Sequence, residues 1–497
     1  GSRMDLDAYR AGAESFTAAL SLEYYLHYAG HRDELGIEPI YERHAELFGR
    51  PAVDALRTEA TAAAPGDEGR SLRALLDFAV EGHLGLATKA LDAELARREA
   101  ELQLDVGGER LGFRESSVVQ ANEPDGDRRA RIEEARLEAT ASELNPLRLE
   151  ALELQHALAR DLGWSSYREM CEELKGLDLD ALAAQTAAFA AATEDAYAGV
   201  VDPALHATVG AGLGDVRRSD LPRFFRFEAA DGAFPEDRLV GAFEETLAGL
   251  GIDLRAQGNV VLDVESRPGK SPRAFCAPVR VPGEVYLVVP PMGGRDDYAA
   301  LLHEGGHAEH FASVDPGLPF EFRHLGDNSV TEGYAFLFDH LLEDPEWLAR
   351  RLGVDDAEEL LAHSRAQQLM LLRRYAAKLA YELELHGGGD GDHAGVYAHR
   401  LTEAVRVPWP REQYLMDVDP GFYAAAYLRA WAFESRLRTL LRERFGPAWF
   451  ESPPAGQMLR DLWAQGQRLD ADELLTQLDG GGLDFAALAA DLGAAPA

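Results

Sequence analysis

Apolar residues in this chain recur mostly at three- and four-residue steps, the spacing that lines one face of an α-helix. The pattern runs from Leu6 to Tyr28 and again over 71–104. It breaks over 105–126, where Gly107, Gly108, Pro124 and Gly126 predict a loop or a short irregular excursion. A charged helix is expected over 128–143, and Pro146 marks the start of the next one. Gly163-Trp164-Ser165-Ser166-Tyr167 predicts a tight connection inside 147–174, followed by a helix over 179–197. Near Val260 the pattern changes. Val260–Val264, Phe275–Val279 and Val285–Val289 are β-rich and bounded by Gly and Pro, which predicts a small antiparallel sheet. Helical spacing then returns over 356–386, 424–443, 471–478 and 485–492. The expected fold is mainly α with one small sheet. A boundary near 258 divides it into a helical N-terminal lobe (5–258) and a C-terminal lobe (259–497).

Composition narrows the function classes. A chain of 497 residues with 46% hydrophobic content can bury a large core. No apolar run approaches the roughly 18 residues that a membrane span needs. The formal net charge of -37 weighs against nucleic acid and anionic membranes as partners. Two cysteines, Cys171 and Cys276, exclude a disulfide framework and a thiolate zinc site, and an acidic N-terminus does not read as a secretory signal. A cytoplasmic protein is expected.

The chemistry concentrates in His303-Glu304-Gly305-Gly306-His307. Residues four apart share a helical face, so His303 and His307 can offer two imidazoles to one zinc ion. Glu304 stands beside them, where a carboxylate can act on a water molecule as general base. A catalytic zinc takes a third protein ligand and keeps one position open. Glu332, 25 residues beyond His307, is the candidate, although Ser329-x-x-Glu332 is also a capping-box pattern. Asp339 is a candidate to orient a ligating imidazole, or a surface charge. His310 lies one turn past His307, where a fourth ligand would close the site, so a supporting role is expected. Gly305 and Gly306 suit close approach of another element. Further on, Tyr423 and Tyr427 put two phenols on one helical face. Near the metal they would donate to an oxyanion, and elsewhere they would be ordinary half-buried tyrosines.

Together these pieces resemble the zinc oligopeptidases of the thimet oligopeptidase and oligopeptidase F family. The likeness rests on His303-Glu304-x-Gly306-His307-x-x-His310, on Glu332 and Asp339 downstream, and on Phe422-Tyr423-x-x-x-Tyr427. Asp263-x-x-x-Arg267-x-Gly269-Lys270 followed by Ala274-Phe275-Cys276 is similar to the strand region bordering that family's substrate channel. Leu318-Pro319-x-x-Phe322-Arg323 is similar to the related peptidyl-dipeptidases. The resemblance covers the chain from about Phe224 to Leu478. One position departs from it: Asp417 stands where the family typically carries a substrate-holding histidine.

The resemblance implies a helical clamshell with a deep channel that admits short unfolded peptides. It also implies one Zn²⁺ held by His303, His307 and Glu332, with Glu304 as base and Tyr423 or Tyr427 at the oxyanion. Arg429 and Arg323 are candidates to receive a substrate carboxylate. Two other readings stand beside this one. The first is a non-catalytic peptide-binding protein that keeps the fold, favoured by Asp417 and opposed by the intact Glu304. The second, within the enzyme class, is a carboxypeptidase or peptidyl-dipeptidase. Oligomeric state is left open.

Overall fold

In the computed structural model, which describes residues 3–290, 292–479 and 481–493, helical spacing becomes helix over most of each expected span, although the helix expected over 179–197 ends at Ala192 and another starts at Tyr197. The first helix, Leu6–Tyr28, matches its expected span; Asp5 caps it by accepting the Ala8 N–H at 3.0 Å. The protein is mainly α. No described helix is long and apolar enough to cross a membrane.

The chain forms two compact units that interleave along the sequence rather than dividing at residue 258. One comprises Gly1–His83, Ala229–Ala357 and Arg429–Asp484; the other comprises Leu84–Glu228, Glu358–Leu428 and Phe485–Ala497. Sequence alone did not predict this arrangement, because apolar spacing reports which face of an element is buried, not which distant segment covers it.

The first unit holds the expected sheet. Its strands are β3 (Val260–Asp263), β4 (Phe275–Arg280) and β5 (Glu284–Val288), in the order β3-β5-β4. β4 and β5 form the expected antiparallel pair, with a register shift between Pro278 and Arg280. β3 instead runs parallel to β5, so the sheet is mixed. The loop after β3 is tied to the end of the first helix through Asp263. This carboxylate accepts hydrogen bonds from Arg267, from Tyr25 Oη at 2.9 Å and from Lys270 Nζ at 3.2 Å, with His31 Nε2 at 3.1 Å. Burial alone would raise the Asp263 carboxyl, but these partners hold it well below the usual carboxylate range. The unit buries Trp347, Trp449 and Trp463 completely.

The second unit centres on the helix Glu358–Leu385. It buries Leu369, Met370, Leu372 and Leu379 and packs against Leu179–Ala192, Tyr197–Val209 and His393–Val405. The segment read as a loop over 105–126 is in fact largely structured. β1 (Gln103–Val106) and β2 (Glu109–Gly112) form an antiparallel hairpin, and a helix spans Phe113–Asn122. Gly107 and Gly108 both take positive φ, 60° and 87°, as a two-residue hairpin turn of the primed type requires. The glycines that break the helical pattern are therefore the turn itself. Leu104 and Val106 alternate inward and join Phe113, Ile132 and Leu144 in a local core.

Candidate metal centre

The motif helix, Arg295–Ala312, starts at Gly294 (φ 96°), where Asp231 accepts the Arg295 N–H at 3.0 Å; Asp296 and Asp297 sit in its first turn, favourable to the helix dipole. It packs against a second helix, Asn328–Asp339. Gly306 is required by that packing, and Gly305 by packing against Phe243 on another helix, Leu239–Gly249. A Cβ on Gly306 would lie 2.8 Å from Ala335 Cα and 2.9 Å from the Tyr334 carbonyl, and one on Gly305 would lie 2.4 Å from the Phe243 ring.

The second helix is capped by Asp327, which accepts the Ser329 N–H at 3.0 Å. Ser329 therefore does not cap it, and Glu332 lies past the first turn instead of closing a capping box. Glu332 faces the motif helix. Its Oε2 lies 3.3 Å from His303 Nε2 and 3.4 Å from His307 Nε2. One ligand atom from each of His303, His307 and Glu332 falls within 4.8 Å of the others.

The other ring nitrogens are committed elsewhere. His303 Nδ1 is 2.9 Å from Asp339 Oδ2, and His307 Nδ1 is 2.9 Å from Thr331 Oγ1. Asp339 is thus a partner of His303, not a surface charge. The His303 ring also lies against Phe336, which stacks on Trp431 at 5.1 Å. His310 is fully buried, with its Nδ1 also 2.9 Å from Thr331 Oγ1. Thr331 is the one member of this group that sequence reasoning missed. Its only signal was adjacency to Glu332.

The electrostatics are those of a site built for positive charge. Burial works against a charged His303, yet hydrogen bonds to Asp339 and Glu332 raise its pKa to about 10. Burial alone would raise Glu332, but His303 and His307 hold it well below the usual carboxylate range. Burial raises Asp339 to about 6 against the pull of His303. Burial and the neighbouring His307 lower His310 to about 3, so it is neutral.

The donor set fits zinc. Two ligands each about 2.1 Å from a tetrahedral ion are about 3.4 Å apart, close to both carboxylate–imidazole distances here. Two neutral imidazole nitrogens and one carboxylate oxygen suit a borderline cation, and both rings already have their second nitrogen oriented. Glu304 follows His303 on the helix and is half-buried. It lies near Cys276 on β4, whose thiol is pushed well above its ordinary pKa by burial and then by the charge of Glu304. β4 itself packs on the motif helix.

Tyr423 and Tyr427 begin the helix Tyr423–Phe445 and belong to the other unit; they are half-buried, with ring centroids 4.9 Å apart. Asp417 accepts from Arg374 at 2.5 Å and from Tyr397 Oη at 2.7 Å, with Lys378 Nζ at 3.4 Å. These partners hold its carboxyl below the usual range although burial opposes them. Asp417 is thus an internally paired carboxylate.

Arg323 and Arg429 are not placed to receive a substrate carboxylate. Arg323 is bonded to Glu14 at 3.0 Å and to the Leu318 and Val281 carbonyls. Arg429 is buried on Asp327 at 3.1 Å, Asp472 at 3.2 Å and Ser329 Oγ at 3.3 Å. It braces the cap of the helix that carries Glu332. Comparison of the sequence with protein-family models and with curated proteins gave no match.

Proposed function

We propose that this protein is a zinc-dependent peptidase of the thimet oligopeptidase and oligopeptidase F type, hydrolysing short unfolded peptides. The observation that carries this reading is that His303 Nε2, His307 Nε2 and Glu332 Oε2 lie within 4.8 Å of one another, with Glu304 next to His303 on the motif helix. Zinc bound there would supply Lewis acidity toward the scissile carbonyl and a water whose pKa is lowered to about 7.

The chain's own residues then divide the work. Glu304 takes a proton from the attacking water and passes it to the departing amine. Asp339 and Thr331 hold the two imidazoles in orientation. Asp417, tied to Arg374 and Lys378, takes no part in holding substrate. A cytoplasmic setting accords with Cys171 and Cys276 remaining thiols.

A short quenched fluorescent peptide tests the reading. Cleavage should stop with a chelator and return with zinc. Glu304→Gln should bind zinc at the wild-type ratio yet lose turnover by several orders of magnitude. Cleavage that survives complete metal removal, or a zinc-loaded Glu304→Gln variant with full turnover, would overturn it. A zinc-loaded wild type that binds the peptide uncut would favour the binding-protein reading instead.

A further inference from the structure

Three imidazoles project from the motif helix, at His303, His307 and His310, and the residues behind them treat them differently. His303 has a carboxylate behind it, Asp339, at 2.9 Å. His307 has only a neutral hydroxyl, Thr331 Oγ1, at 2.9 Å, and that hydroxyl is shared with His310 at the same distance. A hydroxyl carries one proton. Thr331 Oγ1 has these two rings as its hydrogen-bond partners among the described residues, so using that proton means accepting from one ring and donating to the other.

Two arrangements satisfy this rule. In the first, His310 Nδ1–H donates to Thr331, and Thr331 O–H donates to His307 Nδ1. A neutral His307 then carries its proton on Nε2, the nitrogen 3.4 Å from Glu332 Oε2, and cannot ligate through it. In the second, His307 Nδ1–H donates to Thr331, and Thr331 O–H donates to His310 Nδ1. This leaves the His307 Nε2 lone pair facing Glu332 and His303. His310 can end such a chain, because its Nδ1 accepts from Thr331 while the proton on its other nitrogen has the Gly466 backbone to donate to.

We infer that Thr331 is a positioning residue for the metal centre: its hydroxyl relays His307 Nδ1–H to His310 and so fixes His307 as an Nε2 ligand. This inference rests on the metal-centre reading above and adds to it a role for the third histidine. His310 is the acceptor that selects the tautomer of its neighbour, not a ligand. It also separates the two sides of the centre, with an anionic partner behind His303 and a neutral relay behind His307.

Zinc affinity, measured by competition with a chromophoric chelator, provides the test, alongside melting of the metal-free proteins. Thr331→Val keeps the shape but leaves His307 Nδ1–H and His310 Nδ1 buried without the relay. Its affinity should fall roughly 10–100-fold, the usual cost of losing a ligand-orienting partner. Thr331→Ser should restore binding to within about twofold of wild type. If Thr331→Val does not fold, Thr331→Ala against Thr331→Ser gives the same comparison. Imidazole nitrogen NMR of the zinc-loaded protein should place the proton of His307 on Nδ1 and that of His310 on Nε2. Wild-type affinity in Thr331→Val or Thr331→Ala, with Glu332→Ala unable to bind zinc, overturns the relay alone. Failure of the wild type itself to bind zinc overturns the metal centre and the relay with it.

Discussion

At the scale of single residues, the metal-free centre already stores a proton where a cation would sit. His303, raised to about 10 by Asp339 and Glu332, is protonated at neutral pH when no metal is bound. Zinc loading at about pH 8 should therefore release the His303 proton in addition to the one given up by the zinc-bound water, measurable with a pH indicator in weak buffer. Asp339→Asn removes the partner at His303 Nδ1, so it should release less and bind zinc roughly 10–100-fold more weakly. Release unchanged by Asp339→Asn would show that Asp339 does not set the charge of His303. The three residues that converge in this centre were readable from spacing, because His303 and His307 lie four apart on one helix and Glu332 follows downstream. Thr331, Asp417, Arg323 and Arg429 were not. Their roles depend on partners such as His310, Arg374, Glu14 and Asp327, reached through the fold and not along a periodic face. In a chain rich in arginine, residue type alone cannot say which guanidinium is already paired.

At the scale of elements, the centre depends on how closely two helices approach. Gly306 allows it, since an added Cβ would meet backbone atoms of Tyr334 and Ala335 that cannot swing aside. Gly306→Ala should cost about 1–3 kcal/mol from overpacking, outweighing the ~1 kcal/mol that alanine gains in helix propensity. Zinc affinity should fall with it, because the substitution pushes Glu332 away from His307. Gly85→Ala is the matching control. It lies in the long helix Asp67–Glu101 with open space around it, and should instead stabilise by up to about 1 kcal/mol in chemical denaturation. A neutral Gly306→Ala would mean that the helices do not need this close approach. Long helices and the β4–β5 pair were evident from periodicity. The β1–β2 hairpin was not, since strands of four residues give too little alternation to outweigh Gly107 and Gly108 read as breakers.

For the whole molecule, stability against pH is set by buried groups that pull in opposite directions, and two of them lie one turn apart in the second unit. His386 is 2% exposed, bonded to His156 at 2.9 Å and packed against Tyr167 and Phe422. Burial, then the neighbouring His156 and His393, lower it from 6.5 to about 3. Below pH 6.5 the unfolded chain gains a proton there that the native state refuses, so native stability falls as pH drops, by at most about 1.4 kcal/mol per pH unit. Glu382, four residues earlier and fully buried, is raised well above its ordinary 4.5 by burial. The native state keeps that proton when the unfolded chain has lost it, so this term falls as pH rises above about 4.5. Denaturant melts of two variants against wild type separate the effects. His386→Gln should be less stable than wild type at pH 7.5, by an amount that shrinks toward pH 4.5, because only wild type is losing the histidine term. Glu382→Gln should match wild type near pH 4.5 and become progressively more stable toward pH 8. Because each variant is read as a difference from wild type, the many other carboxylates of this acidic chain cancel. Parallel pH profiles for both variants would show that neither group is held in its neutral form by the fold.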